Sequence, residues 1–501
     1  MSTRDARSTS ERDVDGEKAL RRGEGELRDG EPGVAARQLA VAAQRLTGER
    51  RGVAVMLAAE AHRMAGDVTD YADLARLTAG EDVPPVVRSY VAGVVAVSAG
   101  DHSAAVRALR TVLDAGRADS NVRESLWLTE TALLLGEADR CFEHATAAVS
   151  RARLTGDAEL LPTALAQYGA AALVLDRNRA AVAACSAGVV AAQAVGQRNS
   201  LAENLVMQAV AAIARGERDV ALDLVTAALP GIGQRGLGKQ AAWATWTLAC
   251  VDLLDERPDE ALGRLRTMAT GLGRAHPAMR VIIAPQLVEA AVRCDRATEA
   301  AAALAAFEHW VGWSANPSWL AQVHRCHALL TDDDAVAAEH FETSIALHCQ
   351  AGSTLELGRT KLHYARRLRR ERLPSAAREH LRDALRLFQT EDAGYWAEQV
   401  RAELRATGAP DVDGGSAGSG AAALALSPQQ AQVARLVADG LTNREIARSM
   451  SISSRTVDHH LRNIFARLGA RSRVEVATAW LRFSVARPTT PGPAGPPDPA
   501  G

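Results

Sequence analysis

The stretch LSPQQAQVARLVADGLTNREIARSMSISSRTVDHHLRNIFARLGARSRVEVATAWLRF, Leu426–Phe483, decides how the chain is read. Its helix ends can be marked from residue type alone. Ser427 caps a first helix, with Pro428 at the first helical position and Gln430 three residues past the cap. Gly440 closes that helix, where a left-handed residue is needed. Thr442 with Glu445 makes a capping box for a second helix. Ser453 caps a third after the turn Met450–Ile452, and Gly469 ends it. Ser472 with Glu475 opens a fourth. The cap oxygens accept hydrogen bonds from backbone N–H groups that a helix start leaves orphaned.

The third of these helices carries the chemistry. With Val457 at the origin of a wheel and a step of ~100° per residue, Leu461, Ile464, Phe465 and Leu468 join Val457 on one face. That face is the expected core. Arg455, Asp458, His459, Arg462, Asn463 and Ala466 fall on the other side and face outward. A short helix, a tight turn and a second helix with a polar outer face form a helix-turn-helix, whose second helix fits a DNA major groove. The helix start at Ser453–Arg455 also suits a phosphate. Charge agrees: Ser427–Arg487 holds ten Arg, no Lys and four acids, a net +6 on a chain of net −2. A cationic module on an acidic body suits a nucleic-acid partner.

These residues carry a resemblance. GLTNREIA (Gly440–Ala447), Ser453–Val457, HLRNIF (His460–Phe465) and the LGxRSR run Leu468–Arg473 resemble the LuxR/NarL (GerE-type) four-helix DNA-binding domain across its length. The resemblance implies base-edge contacts from Asp458, His459 and Arg462. It implies phosphate contacts from Thr442, Asn443, Arg455, Thr456, Arg471 and Ser472. It also implies pairing of two copies through the fourth helix, with Val474, Ala477, Thr478 and Leu481 at the dimer contact. Three positions depart from the family pattern: Gln430 and Gln432 stand where Glu is usual, and Ser451 where Gly is frequent in the turn. The neighbouring His459 and His460 point ~100° apart on a helix and are poorly placed to share a metal; His459 is expected to face out and His460 to flank the core.

The rest of the chain is long enough for at least one more domain: 501 residues, 47% hydrophobic but only 4% aromatic. Ala and Leu dominate, which favours helices packed through small side chains. No uncharged apolar run approaches the ~20 residues of a membrane span. The charged start MSTRDARSTSERDVDGEK has no apolar signal core, so a cytoplasmic location is expected. The six cysteines are scattered without a C-x-x-C pair and read as buried small hydrophobes.

Short polar turns recur every 34 to 40 residues: Gly30-Glu31, Gly66-Asp67, Gly100-Asp101, Gly136-Glu137, Asp176-Arg177, Gly216-Glu217, Asp255-Glu256, Asp295-Arg296, Asp332-Asp333 and Arg370-Glu371. Each precedes an Ala–Leu stripe at helical spacing, as in Ala377, Leu381, Ala384 and Leu385. Such a period predicts a solenoid of helical hairpins, each burying a face against the next. The units resemble divergent tetratricopeptide repeats. Leu357–Gly408 resembles the segment before the DNA-binding domain in large LAL/MalT-type regulators, without their N-terminal ATPase.

Four other features are weighed and set aside. Gly233–Lys239 matches the G-x-x-x-x-G-K of a P-loop, but Gln240 stands where a magnesium-binding hydroxyl belongs, and a helical segment precedes it instead of a strand. Gly414–Gly418 matches G-x-S-x-G inside a flexible linker, without the strand that presents a nucleophile. Phe307, Trp310, Trp313 and Trp319, with Trp243 and Trp246 two repeats earlier, could form an effector pocket but are expected to fill hairpin cores. His324, Cys326, His327, His348 and Cys349 lack regular ligand spacing and are expected to be structural.

The expected architecture is all-α. It has a disordered start over 1–18, a TPR-like α-solenoid over 19–408, a linker over 409–425, the helix-turn-helix domain over 426–486 and an extended Pro-rich tail over 487–501. The expected activity is transcription regulation without catalysis and without a cofactor or metal. Double-stranded DNA is the expected partner of a homodimer. A protein or small-molecule effector on the solenoid and RNA polymerase are further partners, and no membrane is involved. The competing reading is a repeat scaffold for protein assembly with auxiliary DNA contact.

Overall fold

The computed structural model describes residues 3–66, 71–78, 83–116, 120–270, 279, 282–314, 316–408 and 428–480 except 451, 469, 471, 474 and 479, some of them by backbone alone. The regular elements among them are all helical. The chain divides into two compact units, Met1–Ala409 and Pro410–Gly501. The linker, the tail, Ser427, Ser451 and the G-x-S-x-G match lie outside the described residues.

The first unit is a succession of antiparallel helical hairpins. What ends most of the first helices is the turn residue marked in the sequence. Gly100, Gly136, Asp176 and Gly216 take left-handed φ of 76°, 71°, 56° and 78°. The next residue then donates its N–H back into the last helical turn: Asp101 to the Ala96 carbonyl at 2.9 Å, Glu137 to Ala132 at 2.9 Å, Arg177 to Ala172 at 2.8 Å and Glu217 to Ala212 at 2.8 Å. This bond satisfies a carbonyl that the helix end would otherwise orphan. The same bond recurs at Arg257, Arg296, Leu373 and Ala393, so one local rule sets most of the repeat.

Small residues set how closely the hairpins approach. A Cβ on Gly169 would lie 2.2 Å from Cys185 Sγ, so only glycine allows this helix pair its spacing. Five of the six cysteines lie within the apolar interior or at its edge: Cys141, Cys185 and Cys326 are buried and Cys250 and Cys294 are half-buried. Cys349 is exposed instead, because it sits on the outer side of its helix while its neighbour His348 takes the inward position.

The start of the chain departs from expectation. Residues 1–18 were expected to be disordered, yet Thr3–Asp29 is one helix. It lacks a strong apolar stripe early on, but Leu20 and Leu27 are buried. Asp15 accepts from Arg45 at 2.8 Å and Glu17 from Arg50 at 2.8 Å, so the polar portion is tied to the next two helices.

The unit also coils back on itself. Polar groups about 170 residues apart in sequence meet: the Asn199 side chain donates to the Leu27 carbonyl at 2.9 Å and to that of Gly30 at 3.0 Å. Aromatic donors cap helix ends across this closure. Trp310 Nε1 donates to the Leu134 carbonyl at 3.0 Å and Trp396 Nε1 to that of Ala214 at 3.0 Å; each carbonyl belongs to the last residue of its helix. The Tyr395 hydroxyl does the same for Leu254 at 3.0 Å. Trp396→Phe keeps the ring and removes one such bond. It should lower the stability of this unit by about 1–2 kcal/mol, read from the urea midpoint; an unchanged midpoint would mean that the carbonyl is served by water.

Charge is drawn inward at the same closure. Asp176 Oδ2 accepts the backbone N–H of Leu355 at 2.7 Å and of Glu356 at 3.3 Å, capping the helix Thr354–Arg370 from a distant repeat. Burial pushes the Asp176 carboxyl up to about 7 despite these bonds, with nearby Glu356 adding to the rise. Arg359 donates to Glu356 at 2.9 Å and to Glu289 at 3.3 Å, and its guanidinium lies 5.2 Å from the Trp396 ring centre. Burial opposes ionisation of Glu356, but Arg359 and Arg325 outweigh it and hold the carboxyl well below the usual range.

Candidate nucleic-acid interface

The second unit is built from helices Pro428–Ala438, Asn443–Met450 and Ser454–Leu468, followed by a short helical segment at 475–478. Gly440 ends the first with φ of 85°. The Leu441 N–H returns to the Leu436 carbonyl at 3.1 Å. Gln430 is buried in this helix.

Thr442 and Glu445 form the expected reciprocal cap. The Thr442 N–H donates to Glu445 Oε2 at 2.7 Å, and the Glu445 N–H donates to Thr442 Oγ1 at 3.4 Å. The backbone N–H and then the hydroxyl of Thr442 hold the Glu445 carboxyl below its ordinary value. Ser453 caps the third helix, its Oγ accepting the Thr456 N–H at 3.0 Å. Between these helices the Ile452 N–H reaches the Ala447 carbonyl at 3.0 Å, which fixes the tight turn. At the fourth segment, Ser472 Oγ accepts the Glu475 N–H at 3.3 Å and donates to Glu475 Oε1 at 3.2 Å.

These caps aim the third helix. Val457, Leu461 and Ile464 are buried and pack with Val433, Val437, Ile446 and Val476. Phe465 lies half-buried against the same core. With that face inside, Arg455, Asp458 and Arg462 are exposed, and His459 and Asn463 are half-exposed. The His459 and Asn463 side chains are joined, Nε2 to Nδ2, at 2.9 Å. His460 is half-buried, its ring centre 6.2 Å from that of His459 with the planes inclined at 63°.

The remaining named positions divide. Asn443 is a bridge: its Nδ2 donates to Asp458 Oδ1 at 2.5 Å, and its Oδ1 accepts from Arg473 at 2.6 Å. Arg473 also donates to the Leu441 carbonyl. The second helix, the third and the segment after it are thus tied through one amide. Sequence reasoning did not single out Arg473; its place in the LGxRSR run was the available signal. Thr442 is exposed and Ser472 half-exposed, both engaged in their caps.

Thr456 was expected at a phosphate through the resemblance. Its side chain is instead buried, with the hydroxyl 2.8 Å from Ser453 Oγ, because the residue beside Val457 at the helix start turns under the cap. Ala477 is half-buried against the core and Thr478 is exposed. Arg471, Val474 and Leu481 lie outside the residues whose side chains are described.

The features set aside in the sequence take structural places. Gly233–Gln240 spans the end of the helix Arg218–Arg235, a turn at Gly236 and the start of Gly238–Leu254. Lys239 pairs with Glu203 at 2.9 Å and Gln240 is buried. His324 and His340 lie 2.9 Å apart, Nδ1 to Nδ1, and His327 pairs with Glu308. Among the described residues no group of three or more His, Cys, Asp or Glu is placed to hold a metal ion. Phe307, Trp310 and Trp319 are buried together, whereas Trp243 and Trp246 are half-buried.

The family model of bacterial regulatory proteins, luxR family (GerE), matches residues 424–479. The "Probable HTH-type transcriptional regulator GfsR" of Streptomyces halstedii is 40% identical over 84 residues, 16% of this chain and 35% of that protein. The "Uncharacterized response regulatory protein YgeK" of Escherichia coli K12 is 37% identical over 60 residues, 12% of this chain and 41% of that one. The chain therefore spans well under half the length of these relatives. Among solved structures, a Rap protein complexed with competence and sporulation factor is similar at a TM-score of 0.49 and 12% identity, covering 70% of this chain and 99% of that one.

Proposed function

We propose that this chain, whose residues 424–479 carry a luxR-family domain, is a DNA-binding transcriptional regulator. The observation that carries the reading is the outer face of Ser454–Leu468: Arg455, Asp458 and Arg462 exposed on a helix whose opposite face is buried. In the proposed mode the helix lies in the major groove. Arg455, in the first turn of the helix, meets a phosphate, while Arg462, His459 and Asp458 address base edges. Asn443 holds Asp458 at a fixed angle through its 2.5 Å bond. Two copies bind a two-fold site, through the segment that contains Ala477 and Thr478. The helical-hairpin unit receives a signal, and the protein works in the cytoplasm, in contact with RNA polymerase. No helix among the described residues is long and apolar enough to cross a membrane.

Arg462→Ala tests the reading at a single side chain. Binding to the preferred site should weaken by ~1–3 kcal/mol, with preference relaxed at one base position. The measurement is a binding isotherm against the site and its single-base variants. An equal loss on every sequence would make Arg462 a phosphate contact and move base reading elsewhere on the helix.

A further inference from the structure

Inside the coil of the first unit lies a cavity of about 150 Å³. Trp243, Trp246, Trp319 and Trp396 line it together with Met207 and Ile282. Elsewhere in this unit large side chains such as Phe307, Phe341 and Phe388 are packed into filled cores, so large side chains around an unfilled space stand out. A space of about this size in a protein interior accepts one benzene-sized ring. A wider recess shares Glu256, Glu289, Arg293, Arg366 and Gln399 with the cavity and adjoins it.

The arginines at the cavity wall are already paired. Arg359 is taken by Glu356 and Glu289, Arg293 by Glu256 at 2.5 Å and Arg366 by Glu403 at 2.8 Å. Asp176 accepts two backbone N–H groups and the Asn178 amide. An anionic ligand would give up its water here and meet no uncommitted cation, and a cationic one would meet only Asp176, whose carboxyl already accepts three hydrogen bonds, so an ion enters at a net cost. An uncharged ring would meet indole faces and aliphatic side chains at no such cost. The carboxamides of Gln286 and Gln322 and the hydroxyl of Ser318 supply neutral hydrogen-bonding groups at the same wall.

We propose that this cavity is a binding site for a small uncharged organic molecule with an aromatic or branched-aliphatic body. The inference rests on the first unit's role as the signal-receiving part and names the class of signal. Its occupant would touch helices Arg198–Ala214, Gly238–Leu254 and Thr354–Arg370 at once, and so would favour the closed coil.

Three probes of nearly one shape test it: acetophenone, benzoate and benzylammonium, each titrated calorimetrically into the full chain without DNA. Acetophenone should bind saturably at millimolar concentration, with both ions at least roughly tenfold weaker, a difference of about 1.4 kcal/mol. Ala170→Phe, at a half-buried wall position, should fill the space and abolish acetophenone binding. Cys250→Leu is a milder filling that should weaken it, should the larger change unfold the unit. Absence of acetophenone binding, equal or tighter binding of either ion, or undiminished binding by a folded filled variant would overturn the proposal. Because DNA is absent from the titration, a chain that bound acetophenone as described but failed to select DNA would keep this site and lose the regulatory reading.

Discussion

Arg325→Met should lower the stability of the first unit by about 3–5 kcal/mol, the size expected when one partner of a buried ion pair is removed. Arg325 is only 3% exposed. Its Nη1 lies 2.6 Å from Glu356 Oε2 and 3.3 Å from Thr360 Oγ1. Glu356 is kept ionised by two guanidiniums against the pull of burial. Methionine matches much of the volume, so the lost term is electrostatic, not a cavity. Urea unfolding followed by far-UV circular dichroism measures it. Adding Glu356→Gln to the variant should recover part of the loss, because the residual charge is removed. A cost below ~1 kcal/mol for the single variant would place the pair in the range of hydrated surface bridges.

The second large effect belongs to the smaller unit. Ile464 is wholly buried at the centre of its core, against side chains from three other segments. Ile464→Ala should cost about 2–5 kcal/mol. A single small core has only a few kcal/mol in reserve, so this unit should be largely unfolded in the variant. Hydrogen exchange read by mass spectrometry on the full chain should show protection lost over 428–480 and unchanged over the hairpin unit. DNA binding should vanish with it. Retained protection over 428–480 would show that the helix can repack around the missing atoms; loss over both units would show that they fold as one.

Much of both units could be read from sequence because short-range chemistry sets them. Gly440, Thr442 and Ser453 fix helix ends within a turn, and the stripe Val457, Leu461, Ile464 turns Arg455 and Arg462 outward. The repeating turns were visible for the same reason: a residue able to adopt positive φ, such as Gly100 or Asp176, marks most of them. What could not be read depends on pairs distant in the chain. Nothing near Trp396 announces the Ala214 carbonyl, and nothing near Asp176 announces the helix start it caps. Trp243 and Trp246 lie two repeats before Trp310 and Trp319 in sequence, yet coiling brings Trp243, Trp246 and Trp319 around one cavity, while Trp319 also packs with Trp310 in a core. The burial of the Thr456 hydroxyl could not be read because a family pattern names positions, while the cap at Ser453 decides which way this hydroxyl turns. The helix over the first residues was missed since its ties are ion pairs to later arginines, not an apolar stripe.

The most direct test of the central claim is selection of DNA from a random double-stranded pool by the full chain, followed by isotherms on the enriched site over a range of salt. A two-fold related motif should emerge, its affinity should fall steeply as salt rises, and Arg462→Ala should relax it at one base in each half. An unenriched pool, with weak binding that is the same on every duplex, would contradict the reading of Ser454–Leu468 as a base-reading helix.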